Sequence, residues 1–395
     1  MKTKTILLFT MTFLIALTAC AKDADEFING DIHGVDASES VINEPPIVII
    51  EDTTPPDDNL PISFLTGELK DKDIVNRRPL AVQLVNSEFN LPHYGISQAS
   101  IIYEAPVEGR VTRLLAFFED YDDLERIGPV RGSRDYFIYE AMSKDAIFSH
   151  WGLTPIYCGH LINSDKVDNL SPTLYGVDVG VDIAYRRYER PGYPVEATGY
   201  LYIKELETAL EILGYRRNYS DSFVPQFTFA SGDTFAEYSD YPAVAKIYPG
   251  GGMDLDYQQD EYADQNIRNL GGYGHLNNPM FEYNPVDKLY YRYQFGDKMI
   301  DELNGEQLTF SNVIFQYVHG EVRDLNDYLT FQVHGSGEAK IFTAGKKING
   351  TWSRYGGDLT PAKFYDDNGN EIVLNRGKTW ICLIWDEYAE YAVYE

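Results

Sequence analysis

The stretch from Cys20 to Ser63 withdraws itself from any folded core, and this most constrains what the chain can become. It carries Asp23, Asp25, Glu26, Asp31, Asp36, Glu39, Glu44, Glu51, Asp52, Asp57 and Asp58, with Pro45-Pro46 and Pro55-Pro56 among them. Apart from Ile47-Val48-Ile49-Ile50, its apolar residues follow neither a helical nor a strand period. Such a segment buries too little surface to offset its ordering entropy. Its like charges extend it, and anionic headgroups repel it. Residues 20–63 therefore read as an acidic tether. The remaining chain suffices for two domains of ordinary size.

The tether follows an export signal, residues 1–19. Lys2 and Lys4 make a positive start, Ile6 to Leu17 is mostly apolar, and small Thr18 and Ala19 precede Cys20. A small residue before a cleavage point suits a signal peptidase. A cysteine directly after it resembles the bacterial lipobox, whose thiol is acylated with palmitate-type chains and becomes the mature N-terminus. The apolar run is shorter than the ~20 residues that span a bilayer. Acyl chains contribute about 0.8 kcal/mol per buried CH₂, enough for two or three to hold a protein firmly. The expectation is a lipid anchor at Cys20, with the folded part outside the cell membrane in the envelope.

Formal net charge is -28, which excludes nucleic acid as a general partner, since phosphate binding needs a basic surface. The 31 tyrosines favour strands and half-buried surfaces. Cys158 and Cys382 remain after Cys20. An extracytoplasmic site permits a disulfide between them, but they fall in different expected domains, and two separately buried thiols are at least as compatible with their positions. Neither has metal-ligand spacing. No metal is expected, and Asp165 with Asp168 adds only a weak calcium pattern. Gly250-Gly251-Gly252 lacks the Gly-Lys-Ser/Thr that completes a phosphate-binding loop, so no cofactor is expected.

From Arg78 short apolar runs alternate with helical stretches. Leu80 to Val85, Ser100 to Glu104, Thr112 to Phe118 and Ala146 to His150 read as strands, and Asp135 to Met142 as a helix. Tyr200 to Arg217 reads as the clearest helix, with Gly214 as its stop. Residues 64–240 thus form a mixed α/β or α+β domain. Beyond Tyr241 the pattern is strand-like: Lys288 to Phe295, Asn312 to Val318, Leu329 to Val333 and Glu338 to Phe342. Asp367-Asn368-Gly369 marks a hairpin between Lys363-Phe364-Tyr365 and Glu371 to Leu374. Residues 241–395 read as a β-rich domain, a sandwich or open barrel.

Polar residues crowd between Tyr103 and Arg134, where charges adjoin strand-like runs and burial forces them to pair. The runs RPLAVQLVN, SQASIIYEAPVEGRVTRLLAFF, RIGPVRGSRDYF, GTWSR and LNRGKTWI resemble the YerB-type lipoproteins of Gram-positive bacteria. The resemblance covers nearly all of the chain beyond the tether. It implies a lipoprotein with a mixed N-terminal domain, a β-rich C-terminal domain and no established reaction. Many members carry a Pro-His-Asn-Leu-Tyr-like run after a Tyr-Arg segment. Here Tyr185 to Arg190 is followed by Pro191-Gly192-Tyr193, without that histidine and asparagine, so any role of that run does not transfer.

Arg113, Arg131 and Arg134 are candidates for holding a phosphate or carboxylate through bidentate hydrogen bonds. The competing reading pairs them structurally with Glu104 and Glu108. As acid and base for glycan hydrolysis or transfer, two carboxyls must stand about 5–10 Å apart. Four residues of extended strand span about 13 Å, unless Pro106 turns the chain. His150, at a strand end, is a candidate general base or ligand. The commoner role of such a histidine is a backbone hydrogen bond. Trp352 and Trp380 suit core packing better than sugar stacking. The reading favours a binding or scaffolding module for a small anionic or saccharide envelope ligand. An envelope hydrolase or transferase using Glu104, Glu108 and His150 is the alternative.

Overall fold

The structure, a computed structural model, describes residues 60–109, 111–172, 182–231, 234–250, 273 and 277–395. The export signal, Cys20, the tether up to residue 59 and Gly251-Gly252 lie outside the described residues.

Strands form where the chain offers apolar runs without helical spacing. Those of the N-terminal half are Leu80–Asn86 (β1), Ile101–Val107 (β2), Val111–Phe118 (β3), Ile147–Ser149 (β4) and Asp168–Leu170 (β5). Helix Asp135–Ser143 (α1) joins β3 to β4, Pro155–Ile162 (α2) joins β4 to β5, and Ile203–Leu213 (α3) follows. The C-terminal half is strand-rich. It supplies Lys246–Tyr248 (β6), Met280–Asn284 (β7), Leu289–Gln294 (β8), Asn312–Val318 (β9), Gly335–Thr343 (β10), Lys346–Arg354 (β11), Lys363–Asp366 (β12), Thr379–Trp385 (β13) and Val393–Tyr394 (β14).

A ten-stranded sheet runs through both halves in the order β12-β11-β10-β9-β13-β2-β3-β1-β4-β5. Its junction is β13, parallel to β2 on one side and to β9 on the other. β1, β2, β9 and β13 are buried along their whole length. That is why they read as continuous apolar runs rather than alternating ones.

Alternate residues nevertheless serve different faces. Val82, Ile102, Ala116, Phe315 and Trp380 pack into one core. A second sheet closes over that core with Ile247, Phe281, Tyr290 and Phe310, and α3 adds Leu206 and Leu210. Ala81, Tyr103, Phe117, Ile314 and Ile381 pack into the other core, under Phe137 and Ala141 of α1 and Leu161 of α2. Cys158 and Cys382 are both free and belong to these opposite cores.

Two local expectations are corrected. The helix expected over Tyr200 to Arg217 occupies only Ile203–Leu213, because Gly199–Tyr202 forms a strand beside Arg126–Ile127 and Tyr185–Arg187. Consecutive Tyr200 and Leu201 are both fully buried, as a strand between two layers permits. Gly214, at φ 68°, ends the helix by donating to the Leu210 and Glu211 carbonyls, a conformation that glycine adopts at least cost. The Asp367-Asn368-Gly369 turn forms, but its hairpin is a single bridge between Tyr365 and Glu371. Val373–Leu374 leaves to pair in parallel with Thr228–Phe229.

β9, β13, β2, β1, β4 and β5 share one direction, with β3 reversed among them. Their carboxyl ends therefore lie on one edge, where open α/β sheets commonly place ligand sites.

Candidate functional site

The RIGPVRGSRDYF segment is laid along that edge. The Arg131 N–H donates to the Gln83 carbonyl of β1 at 2.8 Å, and the Trp151 N–H donates to the Arg131 carbonyl at 3.0 Å. The Ser133 hydroxyl donates to Gln83 Oε1 at 3.0 Å. A Cβ on Gly132 would stand 3.2 Å from the Gly152 carbonyl oxygen, so glycine suits this approach of two loops. Arg134 is the extended residue before α1, at φ -127°. That conformation sends its side chain back toward the end of β2.

There Arg134 grips Glu108. Its Nε donates to Glu108 Oε1 at 2.9 Å and its Nη2 to Oε2, while its Nη1 donates to the Ser133 carbonyl at 2.8 Å. The Leu329 N–H adds a bond to Glu108 Oε1 at 3.2 Å. Burial alone would raise the Glu108 pKa, but the Arg134 hydrogen bond and charge outweigh it and hold the carboxyl below its usual value. Arg113 Nη1 donates to the Gly132 carbonyl at 2.6 Å. Burial, and then the Arg134 charge with a further contribution from Arg131, lowers Arg113 to about 9, so it remains a cation at neutral pH. Arg131 is half-buried, and its side chain makes no hydrogen bond or ion pair among the described residues. Nearby Asp135 is engaged by Arg323 and by the Thr330 hydroxyl.

The structure thus brings Arg113, Arg131, Arg134 and Glu108 together: three guanidinium groups around one committed carboxylate. In a chain of formal charge -28 this is a local excess of positive charge on the edge that favours ligands.

Glu104 does not join them. Its side chain is fully buried on the opposite face. Its Oε2 accepts from Arg292 Nη2 at 2.9 Å and Trp380 Nε1 at 3.1 Å, and its Oε1 from Thr112 Oγ1 at 2.7 Å and Asn86 Nδ2 at 3.2 Å. The two glutamates therefore serve different cores, and no hydrogen bond or ion pair links His150 to either. His150 is buried at the end of β4, stacked on Phe148 with ring centroids 5.0 Å apart. Its Nδ1 lies 3.0 Å from the Gly152 carbonyl, and burial lowers it to about 4, so it is neutral at neutral pH.

Sequence reasoning missed Arg292 and Asp301. The signal for Arg292 was present, because Tyr290, Arg292 and Gln294 share the inward parity of β8 and all are buried. A buried arginine on an inward face needs a carboxylate, and Glu104 is that carboxylate. Asp301 accepts the Gly95 and Ser97 N–H groups at 2.8 and 2.7 Å and so pins the loop after β1 to the C-terminal half. No local pattern announces such a contact.

Fold and site together define a sheet-centred protein of two interlocked halves with an arginine cluster at the carboxyl edge of the shared sheet. Residues 65–216 match the N-terminal domain, and residues 271–381 the C-terminal domain, of a protein family of unknown function, DUF3048. The chain belongs to this YerB-like family. It is 26% identical over 323 residues to the Bacillus subtilis (strain 168) protein named "Putative lipoprotein YerB", covering 82% of this chain and 86% of that protein. The crystal structure of YerB protein from Bacillus subtilis superimposes with a TM-score of 0.66 at 22% identity, covering 85% of this chain and 99% of the other. The likeness shows a shared fold.

Proposed function

We propose that the chain is a lipid-anchored protein of the outer face of the cell membrane, binding an envelope component that carries phosphate or carboxylate. One observation carries the binding part: Arg113, Arg131 and Arg134 converge on an edge where Glu108, bonded to Arg134, is the carboxylate among them. An anion seated there relieves the mutual repulsion of the guanidinium groups and can take bidentate hydrogen bonds. Anchoring is supported by the small residues before Cys20, the acidic tether after it, and a relative whose printed name is that of a lipoprotein. The hydrolase reading has less support, because Glu104 is committed to Arg292 and Trp380 and no carboxylate contacts His150.

Calorimetric titration of the full-length protein in detergent with inorganic phosphate and with purified wall fragments tests the binding reading. Arg131→Ala is expected to weaken binding strongly while the melting temperature holds. A wild-type protein that binds neither probe, or a folded Arg131→Ala that binds both normally, overturns it.

A further inference from the structure

The same carboxyl edge carries a concavity at the ends of β9 and β13. His319, Gly320, Glu321, Val322, Trp385, Glu387 and Tyr388 line an open cleft of about 470 Å³, within the ~300–1,000 Å³ of small-molecule sites. One wall is the ribbon Gly320–Val322 paired with Leu329–Phe331, and the other is the 3₁₀ turn Asp386–Tyr391. Phe331 packs edge-on against both Tyr136 and Trp385, at 5.0 and 5.8 Å between ring centroids. The wall is therefore braced from α1 and does not depend on a ligand for its shape.

Trp385 makes this more than a dent. It is 5% exposed, and its indole Nε1 has no hydrogen-bond partner among the described residues. A buried N–H left unpaired is costly, so such a group is ordinarily matched by water or ligand. Gly320 lies against the same side of the ring. A Cβ there would stand 2.7 Å from Trp385 Cδ2 and 2.8 Å from Cε2, the carbon that bears Nε1. The glycine lets the ribbon lie flat against the ring, and Phe331 Cε1 would stand 2.7 Å from the same Cβ, so a larger residue would push Trp385 out of place. Around it the lining supplies an aromatic face in Tyr388, edge-on to Trp385 at 5.1 Å, and acceptors in Glu321 and Glu387. His319 stands between two carboxylates, with Nε2 3.7 Å from Glu321 and Nδ1 3.4 Å from Asp386.

We propose that this cleft binds a neutral saccharide, with Tyr388 offering its ring to a sugar face, Glu321 and Glu387 accepting sugar hydroxyls, and the Trp385 N–H donating to a ring or hydroxyl oxygen. A sugar presents apolar C–H faces and dense hydroxyls together, which is what an aromatic wall beside carboxylates and a lone indole donor complements. The negative lining disfavours an anionic ligand, so this site is separate from the arginine cluster. The inference goes beyond the anion-binding reading, and either stands if the other fails.

The test follows the Trp385 indole N–H resonance of full-length protein in detergent micelles, assigned through Trp385→Phe, during titration with chitobiose and cellobiose. At least one is expected to shift that resonance with saturation in the millimolar range. Glu321→Ala changes only an exposed side chain, so it is expected to fold normally and to weaken the affinity about tenfold, the loss from one good hydrogen bond. Gly320→Ala is expected to abolish binding. Should it fail to fold, Tyr388→Ala takes its place. No shift with either sugar up to solubility overturns the proposal. So does an equal affinity in folded Glu321→Ala and Tyr388→Ala, or a response to lysine-rich tripeptide without a response to sugar, which would make the cleft a cation site.

Discussion

Arg292 and Glu104, 188 positions apart, meet at 2.9 Å between Nη2 and Oε2 with both side chains fully buried. The pair lies between the two sheets and joins β8 of the C-terminal half to β2 of the N-terminal half. The guanidinium is held between the Phe281 and Trp380 rings, 4.6 and 4.7 Å from their centroids, while its Nε and Nη1 find no hydrogen-bond partner among the described residues. It is thus a specific but incompletely satisfied contact. Its rigid partners on both sides make it unforgiving of partial change.

Removing one member strands the other. Glu104→Ala or Arg292→Ala is expected to lower unfolding free energy by about 3–5 kcal/mol. The double change Glu104→Leu with Arg292→Met is expected to recover a large part of that loss, because no buried charge is left unpaired. Urea denaturation of the four proteins measures the loss and its recovery. A loss in either single variant below roughly 1 kcal/mol, the scale of a surface pair, would show that the charge is reaching water.

The arginine cluster predicts the opposite pattern. Arg131→Ala removes a side chain with no hydrogen bond or ion pair among the described residues and relieves repulsion on Arg113, so stability is expected to stay within about 0.5 kcal/mol. Arg134→Ala strands the half-buried Glu108 and is expected to cost about 1.5–3 kcal/mol. Thermal melting separates the two. An Arg131→Ala protein that melts well below the wild type would mean that this guanidinium supports the fold, which would count against its role as a ligand group.

How far the sequence speaks depends on the range of the interaction. β1 and β9 were legible because each is a continuous apolar run, and α1 because its helical run is short and bounded. The arginine cluster was legible because Arg131 and Arg134 lie three residues apart in one motif, with Arg113 opening a recognisable strand. The pairing of Glu104 was not legible, since its partner sits on β8 in the other half. The junction made by β13 leaves no local trace either, because parallel pairing with β2 joins distant segments that carry no shared period. Gly199–Tyr202 misled because its tyrosines and Leu201 merge with the true helical spacing of α3. Burial of two consecutive residues, visible only in three dimensions, decides the strand.

Anchoring is tested by Cys20→Ser, which is expected to abolish fatty-acid labelling and release the protein to the soluble fraction. Retention and labelling equal to wild type would remove the lipobox reading. Limited proteolysis is expected to cut first between Ala21 and Pro61, then between Gly250 and Asn278. After the second cut, the fragments on either side of it are expected to co-elute, because β13 is hydrogen-bonded between β2 and β9. Fragments that separate without denaturant would contradict the continuous sheet.

The buried histidines set a pH dependence of known sign. His150 and His93 are fully buried, and burial lowers each to about 4, against the usual 6.5 of a histidine. In His93, the bond to the Val85 carbonyl and the charge of Asp301 work against that lowering, and Arg190 works with it. No charged group perturbs His150, where the Gly152 carbonyl and Asn169 oppose burial. Between the two values the unfolded chain binds protons that the folded protein refuses. Stability is therefore full above pH 6.5 and falls as pH drops toward 4, by about 1.4 kcal/mol per pH unit for each histidine. His150→Phe keeps the stack on Phe148 and removes one titration. Its stability is expected to fall less steeply than the wild type's between pH 6.5 and 4.5, whatever its stability at neutral pH. Urea midpoints measured across that range read the slope directly. Parallel curves for the two proteins would mean that His150 takes up its proton in the folded state as readily as in the unfolded one, and that its burial leaves a path to water.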